Sequence, residues 1–439
     1  MVYLALQPTG FLGRALGAKA NLVIDAGSSF DVGGRVWRNF AQGGEEKGMM
    51  LLPVINQVKT LSPSLIRIDH IYDFYDVVGG GGGGLTFDWT KLDLTIGDIL
   101  STGAKPFISL SYMPSALGED ILALPANWGE WETVVQKTIE HISGRDGLAV
   151  SGVYYEVWNE PDLFGKFKVK GDKSYLDLYL HSALGASRAN NVLPYKLGGP
   201  ATTALYKNWF DSLLNLAAAN GLKLNFISWH RYSKDLDDFK SDWLNSRKWL
   251  SRYPGYSNIE LITSEMGPNS ENDKVYDGNF GAIHTIATAA LLENDLERGF
   301  LFEIKDGPGV DKYWGRWGML THENFGAPTA KPRYSAILFL NQMVGKKVNV
   351  AGEGSWVKAF AKENSGIIRV LVVNYDPAGV HYEAVPLTFI NLPYNKFTFR
   401  RSDFLGGRKE ILVSTTGTSW TTTEGMNPNS AAIFEIIPK

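Results

Sequence analysis

Between about residue 37 and residue 345 the chain repeats one beat, a short β-rich run followed by a segment of helical spacing, and this alternation restricts the fold more than any other feature. The expected strands are Trp37–Ala41, Leu65–Asp69, Pro106–Leu110, Val153–Trp158, Lys196–Gly199, Phe226–His230, Glu260–Thr263 and Phe300–Ile304. Helical patterns such as 128–142, 175–189 and 282–293 fall between them. Eight β/α units in about 310 residues argue for an α/β protein built on a (β/α)8 TIM barrel, ahead of an open doubly wound sheet.

After Met343 the texture changes to strand-like runs at 356–361, 367–374, 396–401, 410–414 and 431–437, with turn residues and no helical pattern between them. These read as an accessory antiparallel β-sandwich over 345–439. The expected division is therefore an N-terminal segment 1–35, a barrel 36–344 and the sandwich, with Asn21–Asp25 expected to pair into the sandwich. Trp356 and Trp420 are expected in its core.

Composition narrows the function. Lys plus Arg number 43 against 46 Asp plus Glu, so no polybasic footprint for nucleic acid or anionic lipid exists. No apolar run is long enough for a membrane span, and residues 1–20 lack a signal-peptide pattern. Zero cysteines exclude disulfides and thiolate chemistry but leave the compartment open, a secreted or cell-surface location being expected slightly ahead of a cytoplasmic one. Thirteen Trp, 19 Tyr and 22 Phe give a mild push toward sugar ligands, which offer flat faces to stack on. Six glycines at 79–84 lack the following Lys-Ser or Lys-Thr of a phosphate loop and read as a flexible rim of the catalytic face.

In a barrel the reactive groups sit at the carboxyl ends of strands. The fourth unit ends Val153-Tyr154-Tyr155-Glu156-Val157-Trp158-Asn159-Glu160-Pro161, which puts Glu160 where burial would raise its pKa toward that of a general acid. Trp158 and Asn159 precede it, and Asn159 can hydrogen-bond a substrate hydroxyl. The seventh unit ends in Glu265, on the opposite side of the mouth, the place for a facing carboxylate. His230 and Tyr232 end the sixth, with Tyr232 expected to hold Glu265 ionised. Arg67, in the second, is expected either to lower the pKa of Glu265 or to form a structural ion pair. No Gly-x-Ser-x-Gly elbow or metal-binding histidine spacing occurs, and no metal or cofactor is expected. Asp69, Asp73 and Asp76 read as a solvated loop rather than a calcium site.

The stretches Pro106-Phe107-Ile108-Ser109-Leu110-Ser111-Tyr112-Met113-Pro114, Glu156 to Asp162, Gly198-Gly199-Pro200-Ala201 and His230-Arg231-Tyr232 resemble glycoside hydrolase family 39, a clan A family. Trp317-Gly318-Met319-Leu320-Thr321 and Lys331-Pro332-Arg333-Tyr334 extend the likeness over roughly 20–345. The resemblance implies a retaining β-glycosidase, β-xylosidase or related, with a flanking sandwich, Glu160 as acid/base, Glu265 as nucleophile, and Asn159, His230 and Tyr232 on the substrate. An oligosaccharide or polysaccharide is then the expected partner. Two positions depart from the family pattern. Ser264-Glu265-Met266 stands for Thr-Glu-Trp, and Phe302-Glu303 stands for Tyr-Trp, which makes Glu303 a candidate third carboxylate facing the sugar or, equally, a rim residue paired with Lys305 or Arg316. An endo-acting hydrolase or transglycosidase on the same site, and a carbohydrate-binding protein without catalysis, are the competing readings.

Overall fold

The computed structural model describes residues 17–31, 36–82, 84–293 and 298–439. Residues 1–16 and 32–35 of the N-terminal segment and Gly83 of the glycine run lie outside them. The chain divides into two compact units, one of Gly33–Thr285 with Leu292–Leu338, the other containing Ile286–Leu291 and Phe339–Lys439 together with strand β1 (Leu22–Phe30).

In the first unit β2 (Asn39–Gln42), β3 (Leu65–Ile68), β6 (Lys105–Leu110), β7 (Val153–Val157), β8 (Tyr195–Thr202), β9 (Phe226–Tyr232), β10 (Glu260–Gly267) and β11 (Arg298–Phe302) close into an eight-stranded barrel. The neighbouring strands are parallel, so the open-sheet alternative is excluded. Helices α1 (Ile55–Thr60), α2 (Thr90–Ser101), α3 (Trp128–Ile142), α4 (Tyr175–Arg188), α5 (Lys207–Asn220), α6 (Leu236–Leu250), α7 (Asn279–Leu292) and α8 (Pro332–Leu340) follow the eight strands in turn. Side-chain oxygens of Asn127, Ser174 and Asp235 take first-turn N–H groups of α3, α4 and α6, which fixes where those helices start. Trp37 and Arg38, expected in the first strand, belong instead to a 3₁₀ turn, Val36–Arg38, leading into it.

The glycine run is no loose loop. Strands β4 (Val78–Gly81) and β5 (Gly84–Phe87) pair antiparallel as a hairpin. Gly80 has φ +80° and a Cβ there would sit 2.2 Å from the Gly84 carbonyl oxygen, so the tight return needs glycine.

Strand alternation layers the barrel interior. At one level Phe107, Tyr154, Phe226 and Phe300 face inward and touch, with centroids 4.7 to 5.6 Å apart. Two residues nearer the carboxyl ends the same strands carry Ser109, Glu156, Ser228 and Phe302, and beside them β3 turns from Leu65 to Arg67. An aromatic floor therefore carries a polar layer.

The second unit holds one nine-stranded sheet, adding β12 (Lys346–Ala351), β13 (Val357–Asn364), β14 (Ile367–Asn374), β15 (Glu383–Ile390), β16 (Lys396–Asp403), β17 (Arg408–Ser414), β18 (Trp420–Met426) and β19 (Ser430–Pro438), in the order 17-16-19-14-13-12-1-15-18. β1 pairs antiparallel with β12 but parallel with β15, so the sheet is mostly rather than wholly antiparallel. Phe389 and Trp420 from one end meet Phe399 and Phe434 from the other, so the sheet folds over one apolar core. Trp356 stacks on His381 at 3.8 Å.

Candidate active site

Arg67 organises the polar layer. Its Nε donates to Glu156 Oε2 at 2.7 Å, Nη1 to Glu265 Oε1 at 2.8 Å and Nη2 to Asn159 Oδ1 at 2.7 Å. All four side chains are buried. Burying a guanidinium without anionic partners would be prohibitive; two carboxylates hold its pKa above its ordinary value despite burial. The same side chain is an ion pair with Glu156 and a cationic neighbour of Glu265.

Local backbone devices aim the two candidate carboxylates. After β7 the chain enters the left-handed region at Trp158 (φ 71°) and Glu160 (φ 45°), and the Glu160 N–H donates to the Ala201 carbonyl at 3.0 Å. In β10 the register against β9 slips between Thr263 and Glu265, a bulge that sets Glu265 opposite His230. The His230 ring joins the pair: Nδ1 lies 2.8 Å from Glu160 Oε1 and 3.4 Å from Glu265 Oε2. Tyr232 donates its hydroxyl to Glu265 Oε2 at 2.8 Å. A carboxylate oxygen of Glu160 lies within 4.8 Å of one of Glu265.

Burial falls on Glu265 more than on Glu160, the reverse of the expectation from the strand sequence. Desolvation pushes Glu265 above the usual carboxylate range, while His230 and Arg67 pull the other way. For His230 burial opposes the charged form, yet Glu265 and Glu160 outweigh it and hold the imidazole above its ordinary pKa.

A cavity of about 720 Å³ opens at the carboxyl ends of the strands. Asn159, Glu160, Tyr232 and Glu265 line it. Arg67 and His230 lie behind these groups and act on the carboxylates rather than on the cavity surface. Trp158, expected among the binding residues, is fully buried: its indole N–H donates to the Phe164 carbonyl and its ring packs on Tyr112 and Phe167. The left-handed turn at Trp158 directs it into the wall.

Glu303 needs the larger correction. It is fully buried, lies outside the cavity lining, and accepts from Gln42 Nε2 at 3.0 Å and Gly43 N at 3.4 Å. Neither proposed cation pairs with it, because Lys305 bonds Glu46 and Glu323 while Arg316 bonds Glu45. Burial pushes its pKa well above the carboxylate range, with Glu45 and Asp306 adding to the effect. Phe302 takes the inward position, and with Trp317, 5.2 Å away, supplies an aromatic wall. Arg316 lies 3.5 Å over the Trp317 ring.

Sequence reasoning gave no site role to Glu156, Tyr112 or Glu45, and considered Arg316 only as a partner of Glu303. Glu156 was readable, since it stands two residues beyond inward-facing Tyr154. The others come from loops, where no periodicity applies.

Among the described residues carboxylate and imidazole atoms converge in two places, Glu160–His230–Glu265 and Glu46–His322–Glu323. In the second the Lys305 ammonium bonds both glutamates, at 2.7 to 2.9 Å, and stands as the cation. Asp69, Asp73 and Asp76 are in neither; Asp73 pairs with His70 and Asp76 with Lys91.

Fold and site place the chain in the class of (β/α)8 barrels that carry paired carboxylates at the strand ends. Residues 63–251 match the model of Glycosyl hydrolases family 39. Over that stretch the chain is similar to that family. Glu160 lies inside the matched stretch and Glu265 beyond it. Over 330 residues the chain is 25% identical to a beta-xylosidase of Caldicellulosiruptor saccharolyticus, covering 66% of this chain and 64% of that protein, so it spans less than two thirds of that curated relative. A monomeric beta-xylosidase from Caulobacter crescentus CB15 superposes with TM-score 0.76 at 19% identity, over 95% of this chain and 99% of that one. A GH39 enzyme from Xanthomonas axonopodis pv. citri gives 0.75 at 18%, over 98% and 100%. No described helix is long and apolar enough to cross a membrane.

Proposed function

We propose that the protein is a retaining β-glycosidase, a β-xylosidase or close relative, with Glu265 as nucleophile and Glu160 as acid/base. The observation that carries the reading is the separation of the two carboxylates. An oxygen of one lies within 4.8 Å of an oxygen of the other, short of the roughly 6.5 to 9.5 Å that leaves room for an inverting water. The names of the relatives point the sugar toward β-xylosides.

In the first step the Glu160 carboxyl gives its proton to the glycosidic oxygen as the bond from that oxygen to the anomeric carbon breaks. A Glu265 oxygen bonds that carbon from the other face. In the second step water bonds the same carbon, Glu160 takes its proton, and the ester to Glu265 breaks. Arg67 and Tyr232 hold Glu265 in one orientation and favour its ionised form against burial. His230 ties the two carboxylates together. Phe302 and Trp317 offer apolar faces for the sugar ring.

The test is the anomer first released from an aryl β-xyloside, read by proton NMR before mutarotation. The β-anomer is expected. The α-anomer contradicts the mechanism, and no turnover of any aryl β-glycoside in the panel of xyloside, glucoside and galactoside contradicts the function.

A further inference from the structure

The mouth of the cavity has one lip at which large apolar side chains stand open to water. On the side of β2, β3 and β11 the charged and polar Glu45, Asp69, His70 and Arg316 line the cavity together with the Phe302–Trp317 wall. On the side of β6 and β7, beyond Asn159 and Glu160, the outer lip is apolar and open: Ile121, Leu163 and Phe164 line the cavity yet remain 41%, 55% and 41% exposed. Three large apolar side chains left in water at one lip of a cleft mark a contact surface.

Their position says which part of a substrate would meet them. The N–H groups of Leu163 and Phe164 donate to the Glu160 carbonyl at 3.0 and 2.7 Å, so the turn that presents these two side chains is built on Glu160 itself. Ile121 joins from the neighbouring loop, where its carbonyl accepts from Met113 N at 2.9 Å, and the Phe164 ring meets Tyr112 edge-on. Whatever oxygen Glu160 protonates carries its leaving group past this lip. Leu163 and Ile121 offer neither a flat face for a sugar nor a side-chain hydrogen bond for its hydroxyls.

We propose that the leaving-group side of this site takes an apolar aglycone, an aliphatic or aromatic alcohol, in preference to a second sugar. This rests on the assignment of Glu160 as the acid. Apolar contact grows with each methylene added to such an aglycone until the lip is covered, by up to about fourfold in affinity for a fully buried methylene.

The experiment is titration calorimetry of n-alkyl β-xylosides, methyl to hexyl, with xylobiose alongside, on Glu265→Gln, so that binding is read apart from hydrolysis. Affinity is expected to rise tenfold or more along the series, to exceed that for xylobiose at hexyl, and to flatten when Leu163→Ser and Phe164→Ser are added. A rise that survives the added serines moves the contact elsewhere and overturns the proposal. A flat series, or xylobiose bound more tightly than the hexyl glycoside, also overturns it. Failure of the underlying reading shows separately: Glu160→Gln would then hydrolyse alkyl xylosides at the rate of the parent protein.

Discussion

At the floor of the cavity Glu265 is gripped by Arg67, Tyr232 and His230 and its side chain is 7% exposed, whereas at the rim Glu160 is held by His230 and is 14% exposed. The floor is pinned by charge and excluded from water; the rim is half-wet and flanked by apolar residues with open faces. The contrast matches the tasks assigned to the two groups. A nucleophile must attack one carbon along one line, which rewards fixed geometry, while an acid/base must pass protons to a leaving group and then from water.

The largest effect expected from breaking the floor is Glu265→Ala, which should lower kcat on aryl xylosides by roughly 10⁴-fold or more, since the covalent step has no other route. Added azide should restore part of the turnover with inverted glycosyl azide as product. Restored product of retained configuration would remove Glu265 from the role.

Breaking the rim should instead depend on the leaving group. Glu160→Ala is expected to cost alkyl xylosides about 10²- to 10⁴-fold and activated aryl xylosides far less in the glycosylation step, because only the former need the proton. Equal losses across a leaving-group series would place the acid elsewhere.

Arg67→Met tests the floor through stability. It strands Glu156 and Glu265 without their cation, and denaturant unfolding should show a loss of about 3 to 5 kcal/mol. In the protein that remains folded, Glu265 loses a neighbour that favours ionisation, so the acid limb of kcat/KM should move to higher pH. An unmoved limb would show that Arg67 does not act through Glu265. Tyr232→Phe removes a single hydrogen bond to Glu265 and should cost about tenfold in kcat/KM.

The barrel was legible because eight strand-and-helix beats leave few other topologies, and because reactive groups collect at strand ends. Glu160, Glu265, Asn159 and Tyr232 reach one cavity for that reason. Trp158 escaped the same logic when a left-handed residue broke the alternation, and Glu303 is on the far side of a rule that did apply, since Phe300 and Phe302 already face inward. In the second unit β12, β15 and β18 were passed over. Pro386 interrupts β15, and the Thr-rich β18 is an edge strand with a largely polar sequence.

Glu303 gives the smallest expected effect and has a definite sign. Its folded pKa lies well above the unfolded value of about 4.3, so the folded state keeps a proton that the unfolded chain releases, and stability falls as pH rises from there toward the folded pKa. Glu303→Gln cannot ionise, so its Tm should decline less than that of the parent protein between about pH 5 and 8. The ranking of aryl glycosides should stay unchanged, because the side chain is behind the wall. An altered ranking would return Glu303 to the sugar site.

The division between pinned nucleophile and open acid is tested most directly by trapping. The protein is incubated with a 2-deoxy-2-fluoro-β-xyloside bearing an activated leaving group and digested, and the labelled peptide is mapped by mass spectrometry. One fluoroxylosyl group per chain, on Glu265, is the predicted result. A label on Glu160 or on any other residue would contradict the assignment.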